Sequence, residues 1–290
     1  MDLSSHVEQI HSIVKGLTIN RVKSYIDLLH QCRLQIDPIL FNSLRSIYGA
    51  TLKNFWNTAT IPKISNRAIL FVERRYAPNL EFCLHNAVYF ARGYSVHIFC
   101  SEANYEFIKI ICGIHVSNIH IHVLFKTIGT PEEGKLEYNA LLKQFRFWNI
   151  FQEEYILTME TDCYLLKPIP ESIYKYDYVA SRWKWSQNEP GGGGLTHRKT
   201  SIMKQICKLE NKELQQNPMQ DCFASTGITI INGITPNLND SEEYFTESQF
   251  SSKIIGTHQW WTFIHNGMDA IKYQIEFYLT LNITADSSVT

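Results

Sequence analysis

The segment Tyr155-Ile156-Leu157-Thr158-Met159-Glu160-Thr161-Asp162 ends a short apolar run on two carboxylates one residue apart. Such a run predicts a buried parallel strand. In an open α/β sheet, ligands bind outside the carboxyl ends of the strands. Two acids there form a hard-oxygen site for a divalent cation that carries a phosphate. Asp162 is the expected metal ligand, Glu160 its helper, and Thr161 part of the same binding turn. Farther along, Gly256-Thr257-His258-Gln259-Trp260-Trp261 offers a histidine beside aromatics. A neutral imidazole suits Mn²⁺ and would complete the coordination that Asp162 begins.

Three other groups of residues have chemical potential. Glu73-Arg74-Arg75 closes an earlier apolar run, and guanidinium groups in that position can hold a diphosphate or a nucleobase edge bidentately. That turn contains no glycine, which argues against the glycine-rich fingerprints of dinucleotide and P-loop sites. Trp183, Trp185 and the run Gly191–Gly194 form the second group. Aromatic faces stack on sugar rings, and glycines let the backbone approach a ligand in a loop that opens and closes. Trp183, Gly193 and Gly194 are therefore expected in a substrate-covering loop. In the third group, Asp221 of Gln220-Asp221-Cys222-Phe223 is either a general base for an acceptor hydroxyl or an acid at a helix N-terminus. His97, His120 and His122 are metal-like by residue type, but His120 and His122 share one strand face with no acid or cysteine beside them and are expected to be satisfied or to face solvent.

These residues need a scaffold, and the apolar spacing supplies one. Strands are predicted over 68–72, 95–100, 118–124 and 155–159, separated by helices over 79–92, 103–112 and 134–150. Four such β–α repeats argue for a Rossmann-like, mostly parallel sheet. Short strands follow near 177–181 and 227–231. Residues 1–60 carry helical spacing, punctuated by Pro38 and by Thr58 to Pro62, which predicts three or four short helices.

Composition narrows the classes further. The 290 residues carry a formal charge of −1, so no basic excess drives nucleic-acid or anionic-membrane binding. No apolar run approaches the roughly 18–20 residues of a membrane helix. Met1-Asp2-Leu3-Ser4-Ser5-His6 lacks the regions of a signal peptide, and a cytoplasmic location is expected. The seven cysteines include no Cys-x-x-Cys pair, so neither a zinc site nor a disulfide scaffold is indicated.

Seven motifs in order then resemble one family. They are Arg75-Tyr76-Ala77-Pro78-Asn79-Leu80, the segment from Tyr138-Asn139-Ala140-Leu141 to Phe147-Trp148, Glu160-Thr161-Asp162, Tyr176-Asp177-Tyr178 with Trp183, Gly193-Gly194-Leu195-Thr196-His197-Arg198, Gln220-Asp221-Cys222-Phe223-Ala224 and Gly256-Thr257-His258-Gln259-Trp260-Trp261. Over about residues 66–263 the chain resembles GT-A glycosyltransferase-like proteins of bacteria and large DNA viruses, most of them described only as a domain of unknown function. Gln220 stands where that family commonly has Glu.

The resemblance implies a helical extension over 1–62 and a GT-A-like domain over 63–290 with a short C-terminal helical tail. It implies a metal-dependent, hexosyltransferase-like enzyme that moves a sugar from a nucleotide-diphosphate donor, a UDP-sugar above all, to a hydroxyl of a glycan or other acceptor. Arg74 or Arg75 would hold the nucleotide. Asp162, Glu160 and His258 would hold Mn²⁺ or Mg²⁺, and Asp221 would be the base. For a viral member the compartment would be the host cytoplasm. The N-terminal helices are candidates for a homodimer contact. Two readings from other classes stand beside this one: a catalytically degenerate nucleotide- or carbohydrate-binding module, suggested by Gln220, and a metal-dependent nucleotidyltransferase.

Overall fold

In the computed structural model, residues 2–17, 24–183, 190–264 and 268–283 are described. Six strands form the central sheet: β1 (Arg67–Val72), β2 (Ser95–Ser101), β3 (His120–Phe125), β4 (Tyr155–Met159), β6 (Tyr178–Ser181) and β7 (Gly192–Lys199). Their spatial order is β3-β2-β1-β4-β7-β6. The first four run parallel, whereas β7 is antiparallel to both β4 and β6. A smaller sheet joins β5 (Cys163–Leu165), β9 (Gly256–His258) and β8 (Phe245–Thr246), in that order.

Successive side chains of the large sheet enter two separate cores, as the period of a strand demands. Ile69, Phe71, Ile98, Leu157 and Met159 face one core, together with α3 (Leu80–Phe90, named after α1 at Leu3–Gly16 and α2 at Tyr25–Thr58). Ala68, Leu70, Phe99 and Ile156 face the other, covered by Leu142, Trp148, Met203 and Phe223. Burial on both faces explains why β1 and β4 read as continuous apolar runs.

The direction of winding creates the site. From β1 the chain proceeds outward to β2 and β3, then returns to lay β4 on the opposite flank of β1. The crevice between the carboxyl ends of β1 and β4 is thus a topological switch point, where α/β sheets bind ligands.

Three predicted elements differ. The N-terminal segment forms two helices, because α2 continues through Pro38 for 34 residues. An internal proline costs about 3 kcal/mol. The buried stripe of Cys32, Ile36, Leu40, Phe41 and Leu44 runs past it and offsets that cost. The helix expected over 134–150 stops at Leu142, where the Trp148 indole N–H donates to the Leu142 carbonyl at 2.7 Å. A short turn, Phe145–Trp148, follows. Residues 227–231, expected as a strand, belong mostly to the helix Gln220–Ile230. Its β-branched residues resemble a strand, but Phe223, Ala224, Gly227 and Ile228 recur at helical spacing and are buried. Among the described residues, no helix is long and apolar enough to cross a membrane.

Candidate functional site

The turn after β4 carries Glu160, Thr161 and Asp162, and two pairings fix its surroundings. On one side, the Glu160 N–H donates to the Gly194 carbonyl at 3.0 Å, continuing the β4–β7 ladder. On the other, β5 pairs with β9 so that Cys163 lies opposite His258. The Gln259 N–H donates to the Asp162 carbonyl at 3.1 Å. Residues almost a hundred positions apart in sequence therefore converge.

The His258 Nε2 lies 3.4 Å from Asp162 Oδ1 and 3.9 Å from Glu160 Oε2. Its Nδ1 is 3.2 Å from Glu247 Oε1 and 3.1 Å from the Gly194 N–H. The Gly194 N–H donates to Nδ1 beside Glu247, and Nε2 faces the two strand-end acids and the Gln259 side-chain amide at 2.6 Å. Burial works against charge on His258, but Asp162 and Glu247 outweigh it and raise its pKa well above the ordinary range. Burial likewise opposes ionisation of Asp162, and His258 with Arg33 overcomes this, holding that carboxyl below its usual range. Glu160 moves upward, through burial and the adjacent Asp162 charge. Two neighbouring acids with opposed shifts mark a functional-site candidate.

The donor set fits a divalent cation. Asp162 Oδ1 is buried without a hydrogen-bond partner. Gly194 leaves the space beside it open: a Cβ there would stand 2.8 Å from both Glu160 Cδ and His258 Nε2. Cys163 is close enough to contribute sulfur, yet burial and the acids keep its thiol protonated. Two carboxylates and an imidazole suit Mn²⁺ best among the hard cations, with Mg²⁺ preferring oxygen alone.

A cavity of about 410 Å³ opens in front of this cluster. Arg74, Arg75, Glu160, Thr161, Asp162, Gly193, Gly194, Asp221 and His258 all line it. Both arginines are engaged: Arg74 bonds Glu137 and the Thr127 carbonyl, and Arg75 bonds Glu73 through Nε and Nη2 at 2.9 and 2.8 Å. Asp221 sits in the first turn of the Gln220–Ile230 helix, with Oδ1 accepting the Cys222 N–H at 2.8 Å. Gln220 also lines the cavity, and its Oε1 accepts from the buried Arg198 at 2.7 Å.

Trp183 is not among the residues that line the cavity. It is buried, and a Cβ on Gly192 would meet its ring at 2.5 Å. Trp185 lies outside the described residues. The glycines, expected as a covering loop, belong from Gly192 onward to strand β7. They are small because the strand passes between Trp183, Asp221, His258 and Glu247, and Gly193 adopts φ +98°. The histidine trio does have an acid: His97 Nε2 is 3.1 Å from Glu153 Oε1, and the Lys63 carbonyl is 2.7 Å from His120 Nε2. They are satisfied, by partners from other segments.

Two residues of the site carried no motif. Arg33 on α2 donates from Nη2 to Asp162 Oδ2 at 2.6 Å, from a segment that shows only helical spacing in sequence. Glu247 follows the two-residue β8, and an acid just past a strand is its only local signal.

Fold and cavity together define an α/β protein with an acidic, histidine-supported cavity, a candidate ligand site, at the switch point of its sheet. Residues 124–283, more than half of the chain, match the family described as "Protein of unknown function (DUF5672)", and the chain belongs to that family. No curated protein matches it. Among solved structures it is similar to the apo form of the glycosyltransferase GlyE of Streptococcus pneumoniae TIGR4, at 11% identity and a TM-score of 0.41, over 63% of this chain and 47% of that one. A second structure of GlyE gives 10% identity and a TM-score of 0.36, over 58% and 43%. The chain thus spans less than half the length of these solved chains.

Proposed function

We propose that this protein is a metal-assisted glycosyltransferase that uses a nucleotide-diphosphate sugar, most simply a UDP-sugar, and an acceptor hydroxyl. The observation that carries the reading is the convergence of Glu160, Asp162 and His258 Nε2 on one cavity wall at the switch point. The ordered motifs noted in the sequence support the transferase class over other users of strand-end acids.

In this reading Asp162, Glu160 and His258 hold Mn²⁺ or Mg²⁺ against the diphosphate. When bound, the ion neutralises charge on the departing phosphate, a Lewis-acid role. Glu247 keeps the His258 ring turned so that Nε2 faces the cavity. Arg74 and Arg75, positioned by Glu137 and Glu73, face the nucleotide side. Asp221, which lines the same cavity from another element, would take the acceptor hydroxyl's proton on a carboxylate oxygen.

Thermal unfolding with UDP, GDP, CDP and ADP, each with and without Mn²⁺, tests the proposal. A ligand at 100 times its Kd adds about 2.7 kcal/mol, several degrees in Tm for a domain of this size. The expected result is a shift for one nucleotide that requires Mn²⁺ and disappears in Asp162→Asn. A metal-independent shift would remove Glu160, Asp162 and His258 from their roles. Absence of any shift would overturn the transferase reading, and release of pyrophosphate from a nucleoside triphosphate would favour the nucleotidyltransferase.

A further inference from the structure

Three guanidinium groups line the cavity, and they are held in different ways. Arg74 is buried and bonded to both a carboxylate and a carbonyl. Arg75 is paired side-on with Glu73. Arg33 is about half exposed and makes one hydrogen bond, from Nη2 to Asp162 Oδ2. The rest of its five N–H donors have no protein partner among the described residues.

Its backbone, in contrast, is fixed. On the same helix, Asp37 Oδ2 accepts from the Asn79 side chain at 3.1 Å, and Arg45 Nη1 donates to Asn79 Oδ1 at 3.1 Å. Phe41 packs among Phe82, Tyr164 and Trp261. α2 is therefore clamped to the start of α3 and to the core beneath the site, and it presents a flexible cationic head at the cavity wall.

That head rests on the carboxylate that the proposed function assigns to a divalent ion. Arg33 holds Oδ2 while the unpartnered Oδ1 faces His258 Nε2, so a divalent ion on Oδ1 would set two cations on one carboxylate, and their repulsion weakens the hold of each. A guanidinium displaced from Asp162 remains beside the cation, with a planar fork suited to phosphate oxygens. We propose that Arg33 is a diphosphate-binding residue that neutralises Asp162 in the empty site and, repelled by a cation bound through the other carboxylate oxygen, turns onto the diphosphate. The N-terminal helix, which lies outside the family match of residues 124–283, thereby becomes part of the ligand site. This inference rests on the transferase reading for its ligand, but its signature differs. Removing Arg33 should move the affinities for metal and for diphosphate in opposite directions, an effect that loss of cavity shape would not produce.

The test is titration calorimetry of the full chain, wild type against Arg33→Ala and Arg33→Lys. The probes are Mn²⁺ alone, then UDP, GDP, CDP and ADP at saturating Mn²⁺, with Tm as the check on folding. Arg33→Ala is expected to bind Mn²⁺ several-fold tighter and the wild type's preferred nucleoside diphosphate about ten-fold or more weaker. Arg33→Lys, which keeps the charge, is expected to return Mn²⁺ affinity toward wild type. Unchanged binding of both ligands, or weaker binding of both, in folded Arg33→Ala overturns the role of Arg33. Wild-type protein that binds none of the nucleoside diphosphates overturns the transferase reading and this role together.

Discussion

Gly194 must satisfy the β4–β7 ladder and also leave room for the Glu160 and His258 side chains, and only a residue without Cβ does both. In Gly194→Ala the methyl would press on Glu160 Cδ and His258 Nε2 at 2.8 Å. Glu160 is partly exposed and can swing outward, so the fold is expected to survive with Tm within a few degrees, while the Mn²⁺-dependent nucleotide shift is lost. A variant that keeps that shift would show that the two side chains do not act together. Gln220 offers a second test. Arg198 is fully buried, bonded to Gln220 Oε1 and Thr196 Oγ1 at 2.7 Å each, with Nη1 unpartnered. A charged acceptor strengthens such a bond by about 1–2 kcal/mol. Gln220→Glu is therefore expected to raise the unfolding free energy in urea by that amount. A fall would mean that desolvating the new carboxylate outweighs the pairing.

At the scale of elements, α2 carries both a core anchor and the proposed Arg33 contact. Phe41 meets Phe82, Tyr164 and Trp261 edge-to-face at ring separations of 5.8–6.2 Å, and Arg33 lies two turns earlier on the same helix. Phe41→Ala should cost about 3–5 kcal/mol, the usual range for deleting a buried phenyl ring. Chemical denaturation would reveal this as a lower midpoint with an unchanged slope. A loss below 1 kcal/mol would show that α2 is only loosely attached to the core. The small sheet works by register. Because Cys163 pairs with His258, a slip of one residue in β9 would turn the imidazole to the other face.

The whole molecule carries a pH dependence independent of the site. His85 is buried against Trp56 with Nε2 unpartnered, and His197 is fully buried with neither ring nitrogen bonded. Burial lowers their pKa values from 6.5 to about 4 and about 3. Below pH 6.5 the unfolded chain takes up protons that the folded one refuses. Their contribution is therefore complete above pH 6.5 and is lost as pH falls toward 4 and 3. Between pH 7 and pH 5 the two together should remove on the order of 4 kcal/mol, since each pH unit is about 1.4 kcal/mol per group. Tm at the two pH values checks this, and His197→Phe should remove about half of the two residues' joint contribution. An unchanged Tm would mean that these rings are protonated in the fold.

How far the chain can be read without its fold follows from the range of the forces involved. Alternating burial and turn punctuation are local, so β1, β2, β4 and the helix after β1 stand in the sequence nearly at their true limits. Glu160 and Asp162 are legible for the same reason, as acids that end a buried run. The 227–231 segment misleads because the β-branched preference of Ile228 and Ile230 is weaker than the packing of the helix's buried face. Pro38 misleads because a local penalty of about 3 kcal/mol is smaller than the burial of a long apolar stripe. Arg33, Glu247 and Glu153 are ordinary charged residues until packing sets them against Asp162, His258 and His97. The glycines look like a hinge until β7 is seen to pass close to Glu160, Glu247 and His258. Sequence patterning depends on contacts within a few residues, whereas a charge takes its meaning from neighbours that long-range packing brings within about 4 Å.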